Sequence, residues 1–452
     1  MVHYKNFKPT DQAWIPCVPS HWEYLRAKRL FDNPKEKNVG NKESNILSLT
    51  LKGVVNNDKE NPIGLSPADY ATYQIFEKND LVFKLIDLEN ISTSRVGLVH
   101  ERGIMSSAYI RLVAREDINI RYFYYQYYDL WLRNIFNGLG AGVRQTLSAA
   151  DLLNIKIAIP PRNEQNQIVK YLDWQISLIN RLINGYQKQI KLLYERRQTI
   201  IDRAATQGID NAELKDSGAN WLPNIPNHWN MVYSKKLFAQ RKDKAFSEDV
   251  QLTSSQKYGI ISQEEFMRLE GRRLTVVMTG NDILKHVGKG DFVISMRSFQ
   301  GGLEYSYVDG KISSAYVMLI PNKSKVYDEY FKWLFKTKSY IKALQGTSDL
   351  VRDGQALRYA NFAKVSLPEI PLEEQKRIAD YISTEVKKID DAIPVFKKEI
   401  ELLREYRTRL ISDIVTGQVD VRGVEIPDYT PEEDNTMDEE INDTEEVTDS
   451  AD

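Results

Sequence analysis

The chain has 452 residues, 42% of them hydrophobic and 27% charged, enough for two or three domains with cores of their own. Its apolar runs reach a handful of residues against the ~20 that span a bilayer, and one cysteine, Cys17, leaves no internal disulfide or Cys-rich metal site, so a cytoplasmic protein is expected. The formal net charge of −2 is uneven: residues 424–452 carry 13 acids and no Lys or Arg, which leaves 61 Lys and Arg against 50 acids in residues 1–423.

In chain order, the first distinctive segment is Trp14-Ile-Pro-Cys-Val-Pro-Ser-His-Trp22. Short β-type runs follow, among them Asp80–Lys84 and Ser106–Val113, and then Tyr122–Phe136, an aromatic-rich helical stretch. Gly138-Leu-Gly-Ala-Gly142 lacks the strand-before, helix-after context of a nucleotide loop and reads as a flexible turn. Residues 163–204 then carry an apolar ladder whose steps settle into alternating threes and fours, the signature of a coiled-coil seam.

The same order then returns. Trp221-Leu-Pro-Asn-Ile-Pro-Asn-His-Trp229 repeats the first segment at an offset of 207, and Ser313–Tyr316 repeats Ser106–Tyr109 at that offset. Pro371-Leu-Glu-Glu-Gln375 repeats Pro161-Arg-Asn-Glu-Gln165 at an offset of 210, ahead of a second ladder in 373–415. Chance matches do not keep one order and nearly one spacing, so the chain is an internal duplication. An α+β fold follows: two tandem α+β domains, each followed by a long helix, the helices pairing as an antiparallel coiled coil. The expected boundaries are 1–161 and 208–371 for the domains, 162–207 and 372–417 for the helices. The expected pairing residues are Ile179, Ile183, Ile190 and Leu193 on one helix, with Ile389, Ile393, Ile400 and Leu403 on the other. Both ladders are interrupted at the same step by an arginine, Arg197 or Arg407, and Asn184-Gly185 and Pro394 predict a bend at matching mid-helix points. About 40 residues make a rod of roughly 60 Å, long enough to hold two domains one to two DNA turns apart. The acid-rich stretch 424–452 is expected to be disordered.

No catalytic constellation is found. There is no phosphate-binding loop and no base-flipping methylase tetrapeptide, for which Asp32-Asn-Pro-Lys35 is the nearest approach. The five histidines show no metal-ligand spacing; His21 and His228, repeated beside Trp22 and Trp229, read as structural clasps. A binding role is left, and a basic body of +11 suits an anionic partner. Candidate DNA contacts are Lys84, Arg95, Arg144 and Gln145 in the first half, with Arg297, Arg352 and Arg358 in the second; Arg144 and Arg352, placed alike in the two copies, are favoured. Arg102, Arg111, Arg241, Lys242, Lys244, Arg272, Arg273 and Lys364 are further basic candidates, whereas Ser107–Tyr109 and Ser314–Tyr316 read as core strand.

The ordered set Trp-x-Pro-x-x-Pro-x-His-Trp, variable domain, Ile-Pro-Pro-x-x-Glu-Gln-x-x-Ile and heptad helix, closed by Thr206-Gln-Gly-Ile-Asp210 or Thr416-Gly-Gln-Val-Asp420, resembles the DNA-specificity subunit of type I restriction–modification enzymes over about residues 12–423. The resemblance implies two target-recognition domains reading the parts of a split site in double-stranded DNA, with the helices as conserved spacers that dock methyltransferase subunits. It implies as partners two methyltransferase (modification) subunits, adenine-specific and using S-adenosylmethionine, and restriction subunits that use ATP and Mg2+; this chain itself would be non-catalytic, without a cofactor. The alternative from the residues alone is a duplicated coiled-coil scaffold that binds proteins instead of DNA.

Overall fold

The computed structural model describes residues 2–60, 62, 67, 69–88, 95–140, 146–271, 283–295, 298–347 and 358–434. The chain divides into two compact units, Met1–Gln189 with Phe396–Asp452, and Ile190–Val395. Each takes one globular part and a portion of both long helices, a division that cuts across the linear order.

Both globular parts are built on the same plan. In the first unit an antiparallel four-stranded sheet has the order Phe31–Asp32, Ile110–Ala114, Leu81–Phe83, Val96–Leu98. In the second the order is Phe238–Gln240, Val317–Pro321, Phe292–Ile294, Glu304–Tyr305. Leu81–Phe83 and Phe292–Ile294 are buried at every position, which explains their unbroken apolar sequence. Phe83 meets Tyr127 of a helix at 4.9 Å between rings, while Val82 packs with Leu47 and Leu49 of a hairpin on the opposite face. In the second unit Phe292 meets Phe335 at 5.3 Å, and Val293 packs with Leu252 and Ile260 of the corresponding hairpin. The strand just before each long helix returns to the start of its domain: Lys156–Ile159 pairs with Glu23–Arg26, and Ser366–Glu369 with Asn230–Tyr233.

Three local expectations are corrected. The aromatic stretch after the sheet is two helices in each copy. Ile120–Leu132 and Ile135–Leu139 are separated where Asn134 turns left-handed, at φ 55°, and Asp328–Leu334 and Lys338–Gln345 where Thr337 caps the new helix. Ser106–Tyr109 and Ser313–Tyr316 are turns, each closed by a 3.1 Å backbone bond from the tyrosine N–H to the serine carbonyl, so the strands begin only at Ile110 and Val317. The third is the first part of the acid-rich tail: residues 424–434 are not disordered but run beside the first long helix, where Gln167 donates to the carbonyls of Val421 and Val424 and Ser177 to that of Thr430, while 435–452 lie outside the described residues. Backbone groups with no partner in their own extended segment are thereby satisfied by the helix.

The long helices run Arg162–Gln207 and Leu372–Val415, with Pro394 inside the second. Their antiparallel pairing is seen within each unit. In the first, the Tyr186 and Phe396 rings lie 5.5 Å apart and Arg407 reaches Asn180; in the second, Arg197 reaches Asp390. Of the expected seam, Ile179, Ile183, Ile389, Ile393 and Ile400 are buried, whereas Ile190, Leu193 and Leu403 are half-buried. The helix ends belong to domain cores. Ile201, Ala204 and Ala205, closing the first helix, share one cluster with Ile378 and Ile382, opening the second, around Trp229 and Tyr330. In the first unit Tyr122 donates to the carbonyl of Val415 and an isolated bridge joins Val2 to Asp420, so a non-covalent contact of the two chain ends does what the chain itself does after Gln207. Among the described residues no helix is long and apolar enough to cross a membrane.

Candidate nucleic-acid interface

The motifs shared by the copies form one clasp, built twice. Trp22 is fully buried and its indole N–H donates to Glu164 Oε1 at 2.9 Å, while His21 Nε2 lies 2.9 Å from Glu164 Oε2. Trp229 and His228 meet Glu374 in the same way, at 3.0 and 2.8 Å. A buried indole needs an acceptor and a buried carboxylate needs donors, so the Trp-Pro-His-Trp segment and the Glu of the helix start satisfy each other. The adjacent glutamine works on the other side. Gln165 donates to the Pro160 carbonyl at 2.9 Å and accepts from the Asn119 N–H at 3.0 Å, and Gln375 treats Ile370 and Tyr327 alike, at 2.8 Å each. Each Glu-Gln pair thus ties its long helix to two segments of its domain. Gly417, at φ +74°, ends the second helix against Trp22, where a Cβ would strike the Pro19 ring. This constellation is structural, as the sequence suggests for His21 and His228, and among the described residues no cluster of His, Cys, Asp or Glu could hold a metal ion.

A second repeated feature escaped the sequence reading. Asp80, buried before the strand Leu81–Phe83, accepts from Arg111 Nε at 2.6 Å; Asp291, its counterpart before Phe292–Ile294, accepts from Arg241 at 2.6 and 2.9 Å. Arg111 lies in the strand Ile110–Ala114 and Arg241 just after the strand Phe238–Gln240, so no motif marks the pair; only the repeated aspartate could have signalled it. Burial raises the Asp80 carboxyl above its ordinary range even with Arg111 beside it. Arg111 and Arg241 are therefore engaged inside their domains.

The model of the type I restriction modification DNA specificity domain matches residues 19–192 and 226–401. The chain belongs to this family. A putative type I restriction enzyme MjaX specificity subunit of Methanocaldococcus jannaschii is 27% identical over 319 residues, which is 66% of this chain and 68% of that protein. The MjaVIII specificity subunit of the same organism is 24% identical over 371 residues, 77% of this chain and 81% of its own length. Among solved structures, a chain from a study of complex assembly and conformational transition of the type I R-M system superposes with a TM-score of 0.64 at 14% identity, covering 89% of this chain and 99% of that one. The protein is thus a DNA-specificity subunit with two specificity domains, and the protein-binding scaffold reading is set aside.

Within the specificity domains the expected DNA contacts fall into three groups. Arg144, Gln145, Arg297 and Arg352, with Arg272 and Arg273, lie outside the described residues. Arg95 is only 1% exposed, and its guanidinium donates to the carbonyls of Ile86 and Asp87 at 3.3 and 2.8 Å. A group so enclosed braces the loop after Phe83 and offers no face to a base edge, which corrects its assignment as a reader. Lys84 beside it is half-buried, and burial first, then the Arg95 charge, hold its amine below the usual lysine range. Arg358 is exposed, and its backbone N–H donates to Asn361 Oδ1 at 3.0 Å at the start of the helix Tyr359–Lys364. That helix corresponds to Ala149–Asn154, and the two follow the segments that hold Arg352 and Arg144 respectively. Lys242, Lys244 and Lys364 are exposed as well.

Proposed function

We propose that each specificity domain reads one part of a split double-stranded DNA target and that the helix pair sets the unread gap between them. The observation that supports this reading is the duplication itself: one sheet order, one clasp and one helix, each present twice. Readers that share a frame but differ in their variable surfaces suit two different half-sites. Arg144, Gln145, Arg297, Arg352, Lys84 and Arg358 are the proposed contacts; Arg and Gln make bidentate bonds to base edges, each worth ~1–3 kcal/mol of discrimination.

In this reading the chain is non-catalytic and carries no cofactor. Chemistry belongs to two methyltransferase subunits using S-adenosylmethionine, and to restriction subunits using ATP and Mg2+, docked through the helices. Co-expression with the methyltransferase subunit, followed by genome-wide mapping of methylated bases, tests it. The expected result is one motif of two short specific parts around a fixed gap. A continuous motif, or a stable complex that methylates nothing, would overturn the two-reader arrangement.

A further inference from the structure

Where the second unit pairs Arg197 with Asp390 at 2.9 Å, the first unit has Arg407 in the equivalent place, but the residue 210 positions before Asp390 is Asn180. Arg407 donates to Asn180 Oδ1 at 2.7 Å, and its carboxylate comes from elsewhere: Asp434 Oδ2, at 2.8 Å, with both ionic side chains largely buried. The helix face between them is shaped for an incoming chain. Ser177 and Asn180, 4% and 5% exposed, are polar residues on a packed helix face. Ser177 donates to the Thr430 carbonyl at 3.0 Å and accepts from the Glu432 N–H at 2.8 Å; Asn180 donates to the Glu432 carbonyl at 2.8 Å, and Asn184 to that of Glu433 at 2.8 Å. The counterparts 210 residues on are Lys387, Asp390 and Pro394, a charged and kink-prone series that offers no such ladder. The segment also lines a groove of about 850 Å³ in the first unit, with Tyr124, Tyr125 and Tyr128 on its wall beside Tyr429.

We propose that the face of the first long helix that carries Ser177, Asn180 and Asn184, beside Arg407, is a binding site for an extended acidic peptide, occupied in cis by residues 424–434, and that Asp434 supplies the carboxylate that Asp390 supplies in the second unit. Buried polar groups on a helix remain stable only when paired, and Ser177, Asn180 and Arg407 find their partners in the segment. A carboxylate on a guanidinium is the strongest single contact in the set. The segment is therefore a strap of the first unit.

The test is a fluorescence anisotropy titration with a labelled synthetic peptide of residues 422–436. It is expected to bind the chain lacking residues 424–452 and not the full-length chain, whose site is filled. Asp434→Asn in the peptide, or Asn180→Asp in the shortened chain, is expected to weaken binding about tenfold, the first by removing the charge partner and the second by installing one already. Binding to neither chain, equal binding to both, or affinity indifferent to both substitutions would overturn the proposal. Should the shortened chain fail to fold, hydrogen exchange on the full-length protein decides: Asn180→Asp is expected to speed exchange of the Glu432 amide region by competing with Asp434 for Arg407, and unchanged exchange would overturn the assignment.

Discussion

At the scale of single residues, one carboxylate in each copy carries the junction between domain and helix. Glu164 and Glu374 each hold an indole N–H and an imidazole. Glu164→Ala leaves the Trp22 N–H buried without an acceptor, for which a loss of ~1–3 kcal/mol is expected. Glu164→Gln keeps one acceptor oxygen and is expected to cost less. Thermal melts of the two variants check this; equal destabilisation would mean that packing, not the indole bond, sets the loss. The repeated Trp, His, Glu and Gln were all legible in the sequence as a shared frame, because the duplication prints them twice. That they touch was not, since 142 residues separate Trp22 from Glu164 and only the strand pairing of Glu23–Arg26 with Lys156–Ile159 brings them together. The burial of Arg95 was equally hidden: an arginine just before a strand has the same sequence signature whether it faces bases or loop carbonyls.

At the scale of elements, the heptad pattern identifies both long helices and their place at the end of each repeat suggests their mutual direction, but the pattern treats every rung as equal. In the structure Ile183 is fully buried while Ile190 is half-exposed. Ile183→Ala is therefore expected to cost ~2–5 kcal/mol, as for other buried aliphatic truncations, and Ile190→Ala markedly less. Denaturant titration of both variants distinguishes this from a uniform seam, in which the two losses would match. Three-residue central strands such as Leu81–Phe83 show the limit in the other direction. An apolar run that short fits a buried strand or a helix turn, and covering on both faces by helix and hairpin is what makes it a strand. The breaks at Asn134 and Thr337 are set by single-residue conformations that an aromatic-rich pattern overrides on paper.

At the scale of the whole molecule, the helix pair is the element through which a gap in the target would be set. Inserting four residues into one long helix, on the domain side of its seam, is expected to change the preferred gap of the methylated motif while leaving both specific parts unaltered; methylation mapping reads it directly. An unchanged gap would show that the helices hold the domains without measuring. Duplication, α+β class, antiparallel helices and the specificity-subunit family were legible in the sequence alone, because period, order and spacing are local or repeat properties that survive without coordinates. Tertiary structure decided the rest: that each helix end completes the core of a domain, that Asp80 and Asp291 recruit arginines from non-equivalent places, and that part of the acid-rich tail is a strap. The physical reason is common to all three. Composition measures how much charge and apolar surface a segment carries, whereas its fate depends on whether buried donors and acceptors elsewhere await it, and those are gathered only by the fold.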